Sequence, residues 1–546
     1  MSRYILDLES DGLIPQMTKV HCIVLKDIDT GEIISCADQP GYRSLETALD
    51  YISEADLLVF HNGIKFDIPA LKKIYSGLAL KPTCQFYDTL ISSRLFWPEL
   101  EPIDRARWSH IEPKYIGRHS LAAWGERLGV AKIKFTENAK KDPAVTNVWA
   151  EWSASMQTYC EGDVEVSDAL YKYMMSQNPD PRSLELEHEF AMVMSKQEQF
   201  GFPFNEKAAF ALVNTLKAER SEIDEQLQDV FPPVVESRIS PKTGRQLKDK
   251  VTVFNPASRQ QTAERLTALY PEITFASTDK GNPQVDDDVL EALGNRYPEA
   301  KILARYQLLN KRIGQIADGK EAWLKHCHVY GDGRIHGEVV TNACVSGRCS
   351  HKRPNMAQVP SVGHAYGAEC RSLFYAPEGW KLVGADASGL ELRALGAWLA
   401  YFDGGEYARL VSTDGFDIHT HNARLFGIYS TDSPIEKATR DLSKRLIYCI
   451  LYGGGARKTG SIVDPGGTED QQYRIGKKTI DTFYKNLPAI KKLKDLIDER
   501  VDKRGYLSGI DGRRLQIRSK HSALNQLLQS TGAVTVKKAT TILYND

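Results

Sequence analysis

Asp7 and Glu9 stand two residues apart inside an apolar run, "RYILDLES". On an extended strand that spacing sends both carboxylates to one face, where they repel unless a cation or a proton intervenes. Taken alone, a D-x-E on a strand is usually a solvated surface with no chemistry to do. Two further segments change the balance. "VFHNGIKFD" brings Asp67 to the start of a helix directly after an apolar run, and "YCEGD" sets Tyr159 and Asp163 four apart, on one helical face. Four acids gathered in a core need compensating charge. Hard oxygen donors of this kind suit magnesium or manganese, and a pair of such ions can serve phosphodiester hydrolysis.

A second constellation is "TRDLSKRLIYCILYGGG", in which Arg440, Lys444, Tyr448 and Tyr452 recur at i, i+4 steps. The bland reading is a helix with a solvated basic end and a buried aromatic end. The pattern also fits a nucleoside triphosphate: two cations for phosphate oxygens, then a flat ring for base and sugar. The glycines at 453–455 let the chain turn away beyond that face. A third stretch, "KLVGADASGLELRAL", reads as a strand through Leu382–Ala385 that delivers Asp386 to a buried end, followed at once by a helix.

These side chains need a frame. "RYILDLES", "VHCIVLKD" and "GEIISCA" read as three strands, the last two joined as a hairpin through Asp29-Thr30-Gly31. "LETALDYISEA" is helical, "DLLVFHN" is a buried strand, and "DIPALKKIYSG" is a helix stopped by Gly77. Helices dominate from Ser120 to Ser176, and "QNPDPRS" is a linker. Long helical patterns cover Leu184–Lys217 and the region of Ala300–Ala322, separated by a polar loop, "SRISPKTGRQLKDK". Strands are expected in "RIHGEVVTN" and "WKLVGADAS", and helices then run almost to the last residue.

The 546 residues are 42% apolar and 26% charged, the proportions of a globular protein with room for several domains. Net charge is −1, so nucleic acid would have to be bound by local clusters and not by a global basic field. Nine scattered cysteines without a C-x-x-C pair point to a reducing compartment. No signal peptide or spanning segment is legible, so the expected location is the cytoplasm, away from membranes. "HCH" at 326–328 raises the question of a metal, but adjacent side chains diverge and no second cluster stands near it in sequence.

The order D-x-E, N-x(3)-F-D, Y-x(3)-D resembles the proofreading 3′→5′ exonucleases of the RNase H-like superfamily. That resemblance implies that Asp7, Glu9, Asp67 and Asp163 hold two magnesium ions, with manganese as an alternative, and that Tyr159 orients the attacking water. Together with "DASGLELR", the 440–452 helix resembles the family A DNA polymerases, of the replicative type of short-tailed bacteriophages. "FNPASR", "DKGNPQVDDDVL", "KRIGQ", "SGRCSHKRPNMAQVP", "DIHT" and "GIDGRRLQIRSKHSALNQLLQSTGA" extend the likeness over essentially the whole chain. The fold implied is an α/β, RNase H-like exonuclease domain over 1–180, followed by an incomplete right-hand α+β polymerase domain over 181–546. Within the latter, thumb and flanking helices would take 181–335, palm 336–405, fingers 406–508 and the start of the returning palm 509–546.

The same resemblance implies roles. Asp386 and the carbonyl of Ala387 would hold two polymerase metals. Arg440, Lys444 and His419 would grip the triphosphate, while Glu391 and Tyr448 would exclude a 2′-hydroxyl. Tyrosine at 448, instead of phenylalanine, implies tolerance of 3′-deoxy nucleotides. Arg348, Asn525 and Gln529 would donate to minor-groove acceptors of the primer–template, with His521 near the primer end. Two features depart from the family. The thumb lacks the long insertion that binds thioredoxin in some phage relatives, which argues against thioredoxin as a partner. The His-Asp-Glu hairpin that carries the second catalytic acid is not reached before "TTILYND". The expectation is a split polymerase whose second polypeptide carries the remaining palm, and a replicative helicase–primase is a further partner of that type. The alternatives are a shortened chain, a 3′→5′ exonuclease and DNA-binding protein without polymerase activity of its own, or a non-enzymatic DNA-binding accessory.

Overall fold

The computed structural model describes residues 1–130, 135, 147–239, 242, 244–278, 281–431 and 433–546. Parts of the expected helical region 120–176, of the loop 237–250 and of the motif beginning at Asp279 lie outside the described residues. Packing divides the chain into two compact units: Met1–Gln197 with Val339–Ser350 and Gly384–Asp546, and Glu198–Glu338 with His351–Val383.

The first unit opens with a five-stranded sheet of order β3-β2-β1-β4-β5. Its strands are β1 (Arg3–Ser10), β2 (Val20–Asp27), β3 (Ile33–Cys36), β4 (Leu57–Phe60) and β5 (Gln85–Asp88). β1 pairs antiparallel with β2 and parallel with β4, and β4 runs parallel to β5. Alternation on β1 buries Leu6, Leu8 and Ser10 on one face and leaves Asp7 and Glu9 half-buried on the other. In register they face Val24 and Cys22 of β2. Around this sheet lie α1 (Leu45–Ser53), α2 (Asp67–Ile74), α3 (Thr89–Phe96) and α4 (Ala154–Ser176). The 177–180 break separates α4 from α5 (Pro181–Phe200). α2 stops at Ile74, three residues ahead of the expected Gly77.

The C-terminal part of this unit is helical. Four helices carry the residues of interest: α6 (Leu390–Asp403), α7 (Ile418–Leu425), α8 (Lys437–Leu451) and α9 (Lys520–Asn545). Their apolar faces meet in one core that includes Leu392, Leu395, Ile447 and Leu527. Trp398 of α6 donates its indole N–H to Thr531 Oγ1 of α9 at 2.9 Å. A hairpin, Tyr506–Ser508 with Arg514–Gln516, interrupts the helices.

The second unit is built on the helices Glu206–Val230 and Pro298–Ile313, which share a core of Leu216, Leu227, Leu303 and Leu309. Where a polar loop is expected, Val234–Ile239 and Gln246–Thr252 form an antiparallel ribbon. Val235, Ile239 and Val251 supply the β-branched residues that favour strands, while both strands remain exposed.

One expectation fails outright. Residues 381–387 form no strand, and Leu382 and Val383 are 70% and 85% exposed. A strand exists only where a neighbour satisfies its N–H and C=O groups, and no described segment pairs with this one. Asp386, expected at a buried strand end, is therefore exposed.

Candidate active sites

The first site assembles from three elements. α4 crosses the Asp7–Glu9 face of β1, and Cys160 Sγ on α4 donates to Asp7 Oδ2 at 3.4 Å. One turn along, Asp163 is 6% exposed, and Tyr159 lies beside it. Asp67 opens α2 and is 4% exposed. Burial, and next the charge of Asp88, push the Asp67 carboxyl up to about 8, with Asp163 adding to the effect. Burial and then the charges of Asp163, Glu9 and Asp7 raise the Tyr159 hydroxyl, which places all three acids around that ring. Phe135 and Trp149 flank the same ring at 5.6 and 6.2 Å. The four expected acids and the tyrosine thus come together.

Asp88 is a functional neighbour that motif reading missed. It caps α3, accepting from Leu90 and Ile91 N–H at 3.0 and 3.4 Å, and also accepts from Asn62 and Ile64 N–H at 2.9 and 3.2 Å. It therefore fixes the turn that leads to Asp67. The available signal was an aspartate at the end of an apolar run before "TLISSRL", the pattern of a helix cap.

The donor set fits divalent cations. Four carboxylates converge in a setting where burial, and next the charge of Asp88, raise Asp67, and hard oxygen ligands of this kind suit magnesium. Cys160 also stands within reach of Asp7 and Glu9, the three ligand atoms lying within 4.8 Å of one another.

The second site lies on α8. Asp417 caps α7 and holds Arg440 through two hydrogen bonds, Nε to Oδ2 at 2.8 Å and Nη2 to Oδ1 at 3.1 Å. Burial works to raise the Asp417 carboxyl, but the bonds from Arg440 and Thr420 outweigh it and hold it at about 2. His419 follows on α7, with its ring 6.4 Å from that of Tyr448. Burial and the Arg440 charge depress the His419 imidazole, and Lys444 adds to this. Tyr448 stands 5.9 Å from Tyr452, and burial with the Glu391 charge raises the hydroxyls of both. Arg348 Nη2 lies 3.9 Å from Glu391 Oε1. Arg440, Lys444, Tyr448, His419, Glu391 and Arg348 are consequently one neighbourhood.

α9 reaches the same neighbourhood at its start. Gly453, at φ +79°, lies so close to the His521 carbonyl that an added Cβ would sit 2.0 Å from its oxygen. Asn525 and Gln529 are half-buried one turn apart on α9, and His521 is exposed. Asp386 and Ala387 are not brought into such an arrangement: both are exposed, and no cluster of three potential His, Cys, Asp or Glu ligands among the described residues includes Asp386.

Contrary to the expected divergence of adjacent side chains, Cys327 and His328 do converge on a carboxylate, that of Glu206, within 4.8 Å. The group is already satisfied internally: His328 Nε2 meets Glu206 Oε1 at 3.0 Å, and Cys327 Sγ donates to Leu324 O at 3.4 Å.

The fold is that of a nucleotidyltransferase with a nuclease-type sheet. The sequence matches DNA polymerase family A over residues 235–545 and the RNase H superfamily over 4–122. The chain belongs to DNA polymerase family A, as a DNA-directed DNA polymerase bearing an RNase H-like domain. It is 32% identical to the DNA-directed DNA polymerase of Escherichia phage T7, over 97% of this chain and 88% of that one. Against the enzyme of Enterobacteria phage T3 the identity is 33%, over the same shares. Among solved structures, the POL domain of Pol1 from M. smegmatis, in complex with DNA primer-template and dNTP, matches with a TM-score of 0.70. That match covers 100% of this chain and 85% of the other at 16% identity, a likeness of fold. No helix among the described residues is long and apolar enough to cross a membrane.

Proposed function

We propose that the chain extends primers on a DNA template in the cytoplasm and removes mispaired 3′ ends at a separate site. The convergence of Asp7, Glu9, Asp67 and Asp163 from three elements around Tyr159 is the observation that carries the nuclease half. In this reading those acids would hold two magnesium ions, which supply Lewis-acid activation of water and stabilisation of the leaving oxygen. Tyr159 orients the water through its hydroxyl, held in place by Phe135 and Trp149. Asp88 keeps Asp67 at the mouth of α2 by fixing the turn before it.

For synthesis, Arg440, Lys444 and His419 bind the triphosphate and Tyr448 stacks on the incoming nucleotide, with Glu391 beneath the sugar. Arg348, Asn525, Gln529 and His521 bind the primer–template. Asp386 and the Ala387 carbonyl would hold the polymerase metals once 381–387 is paired as a strand. The exposure of Leu382, Val383 and Asp386 supports the view that further palm strands pair with this segment and bring a second acid. A replicative helicase–primase is a further partner in this reading, and thioredoxin is not.

The same exposure favours a second reading, in which this chain by itself digests and binds DNA without extending primers. Primer extension by the purified chain, with and without a polypeptide carrying the complementary palm strands, separates the two. Extension by the chain alone would defeat the need for further palm strands; no gain with any such polypeptide would favour the nuclease-only reading. Magnesium-dependent digestion of single-stranded 3′ ends should vanish in the Asp7→Ala, Glu9→Ala double variant, and its survival there would refute the nuclease assignment.

A further inference from the structure

Adjacent residues on α5 serve two different places. Glu187, fully buried, accepts from Arg513 Nη2 at 2.6 Å and from Lys537 Nζ at 2.7 Å through each of its oxygens. Arg513 also donates to Asp511 in its own hairpin at 2.6–3.0 Å. Lys537, on α9, donates further to the Thr341 carbonyl at 2.7 Å and to Asn342 Oδ1 at 3.0 Å. The turn beginning at Asn342 returns at Arg348, where Ala343 N–H bonds the Arg348 carbonyl at 3.1 Å. Gly347 in that turn lies on the guanidinium: an added Cβ would be 2.2 Å from Arg513 Nη1. Two anions and two cations, each under 8% exposed, thus tie α5, the Arg348 turn and α9 together.

His188 works on the other side. Its Nε2 accepts from the Asp88 N–H at 2.7 Å, and its Nδ1 bonds the Leu184 carbonyl at 2.7 Å. Further along α5, Ser195 Oγ donates to the Ile64 carbonyl at 2.9 Å, beside the Ile64 N–H that Asp88 holds. One helix therefore braces the turn leading to Asp67 and, one residue away, the surface that carries Arg348, Asn525 and Gln529.

We propose that Glu187 is a positioning residue for primer–template binding: through Arg513 and Lys537 it sets the register between the Arg348 turn and α9, from a helix that also braces the nuclease acids. This rests on the duplex role proposed above for Arg348, Asn525 and Gln529. Removing the negative charge leaves Lys537 without a buried counter-ion and Arg513 with Asp511 alone, so the link from α5 to the turn and α9 loosens while β1, α2 and α4 keep their contacts.

The test uses the full chain, a fluorescent primer–template duplex and a single-stranded oligonucleotide. Glu187→Gln should weaken duplex binding, read by anisotropy without divalent metal, by roughly tenfold. Digestion of the single strand with magnesium should stay within about twofold of the parent, and His188→Ala should show the reverse pattern. Parental duplex affinity in Glu187→Gln would overturn the proposal, as would equal loss of both activities. Should Glu187→Gln not fold, the double variant Glu187→Gln, Lys537→Met removes the opposing charge as well. With a parental melting temperature, it should still bind duplex poorly; parental affinity there would also overturn the proposal. Arg348→Ala and Gln529→Ala isolate the underlying reading. If they bind duplex as the parent does, that reading fails; if they weaken while Glu187→Gln does not, only the positioning role fails.

Discussion

Asp417 settles the direction of Arg440 before a nucleotide is present, because the bidentate pair at 2.8 and 3.1 Å fixes the guanidinium plane. Asp417→Asn should therefore loosen triphosphate binding several-fold, roughly 1 kcal/mol, measurable as a rise in KM for dNTP in primer extension. Tyr448 offers a sharper test of chemistry. Replacing it with phenylalanine removes only a hydroxyl, so dNTP incorporation should persist while use of 3′-deoxy nucleotides falls by an order of magnitude or more. His119 gives a pH dependence. Its Nδ1 bonds Ser93 Oγ at 2.7 Å, and burial followed by the charges of Arg94 and Arg127 lowers the ring to about 3, against the opposing pull of Asp104. The unfolded chain takes up that proton near 6.5, the folded one near 3, so protonation favours unfolding in between. Stability should fall as pH drops through this window, by up to about 1.4 kcal/mol per pH unit from this group. His119→Asn should flatten that part of the profile in urea titrations, and an unchanged difference from the parent across pH would contradict it.

At the scale of elements, α8 and α9 are joined where Gly453 passes under the first turn of α9. Any side chain there meets the His521 carbonyl, and the positive φ adds backbone strain. Gly453→Ala should cost about 2 kcal/mol or more and displace the start of α9, seen as a lower melting temperature together with weaker duplex binding. The 381–387 segment behaves in the opposite way: it pairs with no described strand, and Leu382 and Val383 are largely exposed. Its amides should exchange within the dead time of a hydrogen-exchange experiment and become protected when complementary palm strands are added. Protection in the chain alone would show that the segment already has a partner.

At the scale of the molecule, a net charge of −1 gives no long-range attraction to DNA, so affinity must come from local cations such as Arg348 and Lys444. Binding should still weaken steeply with salt, because each contacted phosphate releases counterions. The buried cluster around Glu187 adds a structural constraint that no charge count reveals, since its two cations and two anions cancel.

The amino-acid order alone fixed the family, the strands and helices around the nuclease acids, and the one-face spacing of Arg440, Lys444 and Tyr448. Those features follow from local periodicity and from motifs whose chemistry is carried within a few residues. Glu187 and Lys537 were not legible, because each acts on partners 195 to 350 positions away, and the cap pattern at Asp88 gave no sign of its hold on Ile64 N–H. An acid or a lysine reads as surface until folding shows what it is buried against. The strand expected at Leu382–Ala385 failed for the converse reason: its apolar run is strand-like, but a strand is made by its neighbour, and only the tertiary structure shows whether one is there.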